Sequence, residues 1–136
     1  MKGFGLAFHH LGLAVKTEAA AIRFLEGNGY ACGERIYDPE QNVNLRMCTS
    51  SAGPWVELIT PGDGEGPLTP ILKRYDQLFY HSCYEVADRT ASLAAIREAG
   101  LRVLPVADAK PAILFAGRQV SFYNIAGFGL VELLES

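Results

Sequence analysis

The sequence is poor in cysteine, in clustered positive charge and in long apolar runs. Its three cysteines, Cys32, Cys48 and Cys83, contain no Cys-x-x-Cys pair. Neither a disulfide framework nor a thiolate zinc site is therefore expected, and the cysteines are predicted to be buried apolar residues in a reducing compartment. No apolar run approaches the roughly 20 residues that cross a bilayer as a helix. The sequence thus predicts a cytoplasmic protein with no membrane partner.

The charge balance argues against another class of partner. Twelve Lys and Arg residues are set against fifteen Asp and Glu residues, which gives the 136-residue chain a formal charge of −3. Its basic residues are scattered, whereas nucleic-acid binding needs them clustered on one face, so no nucleic-acid partner is expected. With 49% hydrophobic and 20% charged residues, the composition is that of a globular protein long enough to bury a core.

What the sequence does contain is an internal repeat. Residues 8–15 (Phe-His-His-Leu-Gly-Leu-Ala-Val) align with residues 79–86 (Phe-Tyr-His-Ser-Cys-Tyr-Glu-Val), which matches His10 with His81. A helical stretch that ends at a glycine follows each copy at the same offset. Because this joint order is hard to obtain by chance, the two halves are predicted to be copies of one module.

The ends of the two halves also match. Residues 56–59 and 131–134 both contain a Val-Glu-Leu run, which matches Glu57 with Glu132. Each half then follows the pattern β-α-β-β-β, and the predicted fold class is α+β.

A single domain is predicted over residues 1–136. Module one covers residues 8–61 and module two covers residues 78–136. The Gly- and Pro-rich connector, residues 62–77, is too short to separate independent domains.

Periodicity and turn residues predict the individual elements. Asp88 and Thr17 are the candidate helix N-caps. Helices are expected at residues 19–26, 69–75 and 90–99, and strands at residues 9–15, 31–37, 43–48, 55–60, 79–86, 101–104, 118–124 and 130–135.

Four polar residues stand out within these strands. His10 shares a strand face with the small residues Gly12 and Ala14. Glu57 and Glu132 lie in apolar strands, where a carboxylate is costly unless it is paired or bound to a cation. Singly, such residues are usually core histidines or rim carboxylates, but as a duplicated set they are predicted to converge on one metal ion. The predicted ligands are His10, Glu57, His81 and Glu132, two nitrogen and two oxygen donors that suit Ni²⁺, Co²⁺, Mn²⁺, Fe²⁺ or Zn²⁺.

With these residues identified, the sequence resembles the glyoxalase / vicinal oxygen chelate superfamily. The matching segments are residues 10–15, 56–58, 80–81 and 131–133. The resemblance implies two β-α-β-β-β modules in tandem that form a curved, barrel-like mixed sheet with helices outside. It also implies metal ligands at the same four positions. No separate cofactor-binding residue is implied.

Within the superfamily, two kinds of enzyme are similar to this chain. Residues 80–86 and 111–113 resemble small bacterial glyoxalase-like proteins, which implies glyoxalase I-like (lactoylglutathione lyase-like) isomerisation of a 2-oxoaldehyde–thiol hemithioacetal. Residues 39–43 and 66–71 resemble methylmalonyl-CoA epimerase, which implies racemisation of an acyl-CoA.

Two departures from the epimerase pattern favour the glyoxalase. Tyr80 stands where that enzyme has a second histidine, and residues 111–117 replace its glycine-rich loop. The main expectation is therefore the glyoxalase I reaction. The alternatives are the epimerase and a metal-free small-molecule binding protein.

Both reactions remove a proton from a carbon next to a carbonyl, which a bound cation assists by stabilising the developing charge. The resemblance implies Glu132 as the base, with Glu57 as second choice. A metal-bound carboxylate is a weak base, so the acting glutamate is expected to detach when the small-molecule substrate, a hemithioacetal or an acyl-CoA, binds. Exposed sheet edges favour a twofold homodimer.

Substrate recognition is only weakly indicated. Polar residues alternate on one face of the third strand and lie on or near the matching strand of module two: Asn42, Asn44 and Arg46, and Arg118, Gln119 and Tyr123. An Arg side chain there would suit a carboxylate or phosphate by bidentate pairing. Both readings stay open, since such residues are as often solvent-facing.

Overall fold

The computed structural model describes residues 3–136. Within these residues the helices are α1 (Ala19–Gly27), α2 (Thr69–Leu72) and α3 (Arg89–Glu98), and a short 3₁₀ turn covers Ile113–Phe115. The strands are β1 (Leu6–Val15), β2 (Ala31–Cys32), β3 (Ile36–Asp38), β4 (Val43–Thr49), β5 (Trp55–Pro61), β6 (Gln77–Val86), β7 (Val103–Pro111), β8 (Gln119–Ile125) and β9 (Gly129–Glu135). None of the helices in this part of the chain has the length and hydrophobicity needed to cross a bilayer.

The chain divides into two compact units. Within the described residues, the N-unit is His10–Tyr80, and the C-unit is His81–Ser136 together with residues 3–9. The predicted connector, residues 62–77, lies within the N-unit. Whether the chain behaves as a single domain stays a prediction.

The N-unit contains a mixed sheet with the strand order β2-β4-β5-β1, and β3 also pairs with β4. β1 and β5 are parallel, whereas β4 pairs antiparallel with β5 and with both short strands. One face of the sheet packs against α1. There Cys48, Val56 and Leu58 are buried against Ile22 and Leu25. Apolar residues at alternate strand positions therefore pack against the helix. The residues between them lie on the opposite face of the sheet.

The C-unit repeats this arrangement. Its strand order is β7-β8-β9-β6, with β6 and β9 parallel and the other pairs antiparallel. Leu93 and Ile96 of α3 pack with Val86, Val131 and Leu133. In each unit, the first parallel strand is thus followed along the chain by a helix and then by an antiparallel meander. The last strand of the meander is the second parallel strand. The predicted α+β class and the tandem β-α-β-β-β modules are confirmed.

The expected strand at residues 31–37 is broken in two. Cys32 faces Cys48 and Ile36 faces Leu45, so residues 33–35 lie opposite only two residues, 46 and 47. The extra residue makes an irregularity of the β-bulge kind. At this break the Gly33 N–H donates to the carbonyl of Met47 at 2.9 Å.

The expected strand at residues 101–104 is much longer in the structure. It continues to Pro111 as β7, with register shifts on both sides of Ala107. No element was expected at residues 105–111, which include Pro105 and Pro111. A proline cannot donate to a ladder, but β7 pairs only with β8 in the described sheet, and an edge strand tolerates it.

The helix caps were predicted with mixed success. Asp88 caps α3 as expected, because its carboxylate accepts the N–H of Ala91 at 3.0 Å. Thr17 was the wrong choice for α1, whose N-cap is Glu18 without a side-chain cap. α2 is also shorter than expected, since it ends at Leu72.

Glu18 has a different partner, which ties the start of α1 to β4. The Arg46 guanidinium donates to both carboxylate oxygens, at 2.7 and 3.3 Å. This hydrogen bonding is the main reason that the pKa of Glu18 lies below its usual value. Both side chains are about four-fifths buried, with 19% and 20% exposed, so the bidentate pair is screened less than a surface pair.

Replacing Glu18 by glutamine is expected to lower the free energy of unfolding by about 1 kcal/mol near neutral pH. Because the folded state depresses the pKa, this stabilisation is present above the unfolded value and is lost as pH falls through the folded value. Urea unfolding of wild type and E18Q at pH 7 and at pH 3 measures both effects.

Glu26→Gln is the matched control, since Glu26 is exposed at the other end of α1. It should leave the stability nearly unchanged at either pH. An E18Q deficit that stayed equally large at pH 3 would contradict the ion-pair explanation.

Candidate functional site

The N-unit holds a buried histidine–glutamate pair on the sheet face away from α1. His10 of β1 has no exposed surface, and Glu57 of β5 is 3% exposed. Gly12 lies directly opposite Glu57 in the parallel register, so His10 is two residues along β1 from that position and on the same face. The distance from His10 Nε2 to Glu57 Oε1 is 3.6 Å.

The C-unit holds a second pair of the same kind. His81 of β6 and Glu132 of β9 are both buried, and His81 Nε2 lies 3.1 Å from Glu132 Oε1. Cys83 lies opposite Glu132 in the parallel register, and Phe122 lies opposite it on the antiparallel side. The Phe122 ring also meets His81 edge to face, with centroids 5.5 Å apart.

The two histidine–glutamate pairs have the same relative position across their parallel strands. Glu57 faces the residue two positions after His10, and Glu132 faces the residue two positions after His81. The internal repeat therefore extends beyond the element order to the relation between individual side chains. Each predicted histidine is beside its predicted glutamate.

The donor atoms of each pair fit adjacent ligands of one metal ion. Nitrogen and oxygen ligands lie about 2.0–2.2 Å from a first-row divalent ion, so neighbouring donors are roughly 3–3.5 Å apart. The observed separations of 3.1 and 3.6 Å are close to this range. An imidazole and a carboxylate suit the divalent transition metals, and each pair can supply one ligand of each type.

Two further ionisable residues of the C-unit, Glu85 and His9, make local contacts. Glu85 of β6 pairs with Arg118 at 2.7 Å, and this hydrogen bond is the main cause that lowers the pKa of Glu85. Glu85 is therefore engaged in an ion pair. The His9 ring lies edge to face on Phe115, with centroids 5.3 Å apart.

Asn44 and Arg46, whose roles the sequence left open, lie on the opposite side of β4 from Met47. Arg46 binds Glu18 and donates to the Gly33 carbonyl at 2.7 Å, and Asn44 donates to the Pro61 carbonyl. Met47 faces Glu57 across the ladder. These two polar residues therefore hold the N-unit together and are not on the Glu57 face.

Sequence reasoning missed the neutral residues around the pairs. Met47 beside Glu57, and Cys83 and Phe122 beside Glu132, are neighbours through strand register. No local signal marks them, because a residue's cross-strand neighbour depends on the register between two strands and not on the sequence of either strand alone.

Comparison with known proteins places these observations in a family context. A family model described as the Glyoxalase/Bleomycin resistance protein/Dioxygenase superfamily matches residues 9–122. The ethylmalonyl-CoA/methylmalonyl-CoA epimerase of Cereibacter sphaeroides is 31% identical over 129 residues, which cover 92% of this chain and 94% of that protein.

Solved structures share the fold. The crystal structure of methylmalonyl-CoA epimerase from Mycobacterium tuberculosis aligns with a TM-score of 0.78 and 20% identity, covering 99% of this chain and 91% of that one. A Streptomyces coelicolor methylmalonyl-CoA epimerase variant in complex with 2-nitronate-propionyl-CoA aligns with a TM-score of 0.71 and 25% identity, covering 96% and 95%. These similarities do not support the glyoxalase I expectation and agree better with the epimerase alternative.

Proposed function

The chain belongs to the Glyoxalase/Bleomycin resistance protein/Dioxygenase superfamily, and from that membership we propose that it is a metal-dependent epimerase of 2-carboxyacyl-CoA thioesters. The observation that carries the proposal is its 31% identity, over 92% of its length, to an ethylmalonyl-CoA/methylmalonyl-CoA epimerase. Its four buried histidine and glutamate residues supply groups that this chemistry needs.

The reaction inverts one carbon by moving one proton. In such a thioester, C2 lies between the thioester carbonyl and a carboxylate, so negative charge that forms at C2 spreads onto the carbonyl oxygen. Inversion requires that the proton leave one face of C2 and that a proton return to the other face. The enzyme must therefore offer a base and an acid.

Glu132 and Glu57 are the proposed proton carriers. A carboxylate accepts the C2 proton and a carboxylic acid returns one, so the two residues exchange roles with the direction of the reaction. Each is buried within an apolar strand, where water does not compete for the proton. Each also has an imidazole beside it, of His10 for Glu57 and of His81 for Glu132.

We further propose that His10, Glu57, His81 and Glu132 hold one divalent metal ion together. The support is the same relative position of the two pairs across their parallel strands, together with their nitrogen and oxygen donors. When bound, such an ion would lower the energy of negative charge on the thioester carbonyl oxygen. The two histidines would supply its nitrogen ligands and the two glutamates its oxygen ligands.

Metal stoichiometry tests the shared site. Protein stripped of metal and titrated with Co²⁺ is expected to bind one ion per chain by calorimetry and elemental analysis. Because both pairs serve one ion, His10→Ala and His81→Ala should each weaken binding by about 100-fold or more.

The third histidine provides the control. His9→Ala should bind Co²⁺ like wild type, because His9 is outside the proposed ligand set. Two ions per chain, with each alanine variant retaining one of them, would show that the pairs act separately and would refute the shared site.

Proton exchange tests the reaction. In D₂O, the metal-loaded protein is expected to replace the C2 proton of methylmalonyl-CoA by deuterium, measured by ¹H NMR against a sample without enzyme. Methylglyoxal–glutathione hemithioacetal should give no thioester at the same enzyme concentration. The reverse result would favour the glyoxalase and refute the epimerase.

Variants of the two glutamates test the roles of the bases. Glu132→Gln and Glu57→Gln should each reduce epimerisation by about 100-fold or more. Since each carboxylate serves one face of C2, each variant should still exchange the proton of one epimer. Glu85→Gln, which removes the ion pair with Arg118, is the matched control and should keep most activity. Unimpaired epimerisation in E132Q would remove Glu132 as a base.

A further inference from the structure

Cys32 and Cys48 face each other across two antiparallel strands. They are directly opposite in the pairing of β2 with β4. The neighbouring hydrogen bond runs from the N–H of Gly33 to the carbonyl of Met47, at 2.9 Å. It joins the residue after Cys32 to the residue before Cys48, which identifies the two cysteines as a non-hydrogen-bonded pair.

This kind of pair has a backbone spacing that suits a disulfide. Opposite residues at non-hydrogen-bonded positions have Cα atoms about 4.5 Å apart and their side chains are close. Disulfides form at Cα separations of about 4.4–6.8 Å. The native strands therefore already hold the two cysteines at a distance that a disulfide can bridge.

The two thiols are in contact and differ in access. Cys48 is completely buried, and its pKa is raised to about 12, first by burial and then by a hydrogen bond with Cys32. Cys32 is half-buried. An oxidant in solution therefore reaches Cys32 first, with Cys48 in place behind it.

We propose that Cys32 and Cys48 form a reversible disulfide within the chain when the protein meets a peroxide. The Cys32 thiolate attacks a peroxide oxygen, which gives a sulfenic acid and, with H₂O₂, one water. The Cys48 sulfur then attacks the Cys32 sulfur, the S–S bond forms and a second water leaves. Two thiols are oxidised and one peroxide is reduced, and a thiol reductant reverses the reaction.

The disulfide would tether the short edge strand β2 to β4 and would not contact the proposed metal site. β2 has only two residues and pairs with β4 alone in the described sheet. Cys48 packs with Val56 and Leu58 on the α1 side, whereas Glu57 points to the other face. The crosslink would protect Cys32 from further oxidation and restrict the unfolded chain between the two cysteines. The inference does not depend on the proposed function.

Peptide mapping of the full chain tests the crosslink. Protein is treated with H₂O₂, alkylated with iodoacetamide and digested with trypsin, which separates the three cysteines into peptides 24–35, 47–73 and 75–89. The expected product is peptide 24–35 joined to 47–73, lost on dithiothreitol treatment, with Cys83 alkylated. A sulfinic acid on Cys32 without a crosslink, a bond to Cys83, or disulfide-linked dimers on a non-reducing gel would overturn the proposal.

Thermal unfolding tests whether the native strands already fit the bond. Oxidation is expected to raise the Tm of wild type by roughly 5–10 °C. Cys32→Ser, at a half-buried position, should fold and show no rise, while Cys83→Ser should still form the crosslink. A crosslinked protein with an unchanged or lowered Tm would show that the strands must distort to form it, and would overturn the geometric argument.

Discussion

The parallel pairing of the first strand of each module with its last strand is the constraint on which the rest depends. Parallel neighbours cannot be joined by a tight turn, so a helix and an antiparallel meander must fill the connection. In the N-unit this pairing joins β1 to β5, and in the C-unit it joins β6 to β9. A histidine in the middle of one strand thereby comes to lie beside a glutamate of the other.

Burial explains why these polar residues are unusual. β5 and β9 are covered on both faces, and Glu57 and Glu132 alternate with apolar residues that pack against a helix. Removing a carboxylate from water is unfavourable by several kcal/mol unless a partner or cation compensates it. An apolar residue at either position would serve packing better. Their presence agrees with the proposed role of both residues in chemistry on the face away from the helices.

Much of this arrangement was predictable because the same sequence pattern occurs in both halves of the chain, so each half supports the interpretation of the other. The matched His10 and His81, and the matched Glu57 and Glu132, correctly indicated two modules of one element order. That the four residues share one metal ion stays a prediction. Prediction failed where local composition misleads, as in the proline-containing edge strand β7. The departures at Tyr80 and at residues 111–117 favoured the glyoxalase I reaction, whereas the 31% identity over 92% of the chain agrees better with the epimerase alternative.

The sequence by itself determined the element order, the duplication and the face on which each strand residue lies, because period-two alternation and chain order are local properties. Only the tertiary structure decided which residues oppose one another. Cys48 faces Cys32, and Phe122 and Cys83 flank Glu132, because of the registers in which separate strands pair. Register depends on the summed burial of whole strands and on bulges such as the one after Cys32. The register therefore cannot be predicted from any single residue.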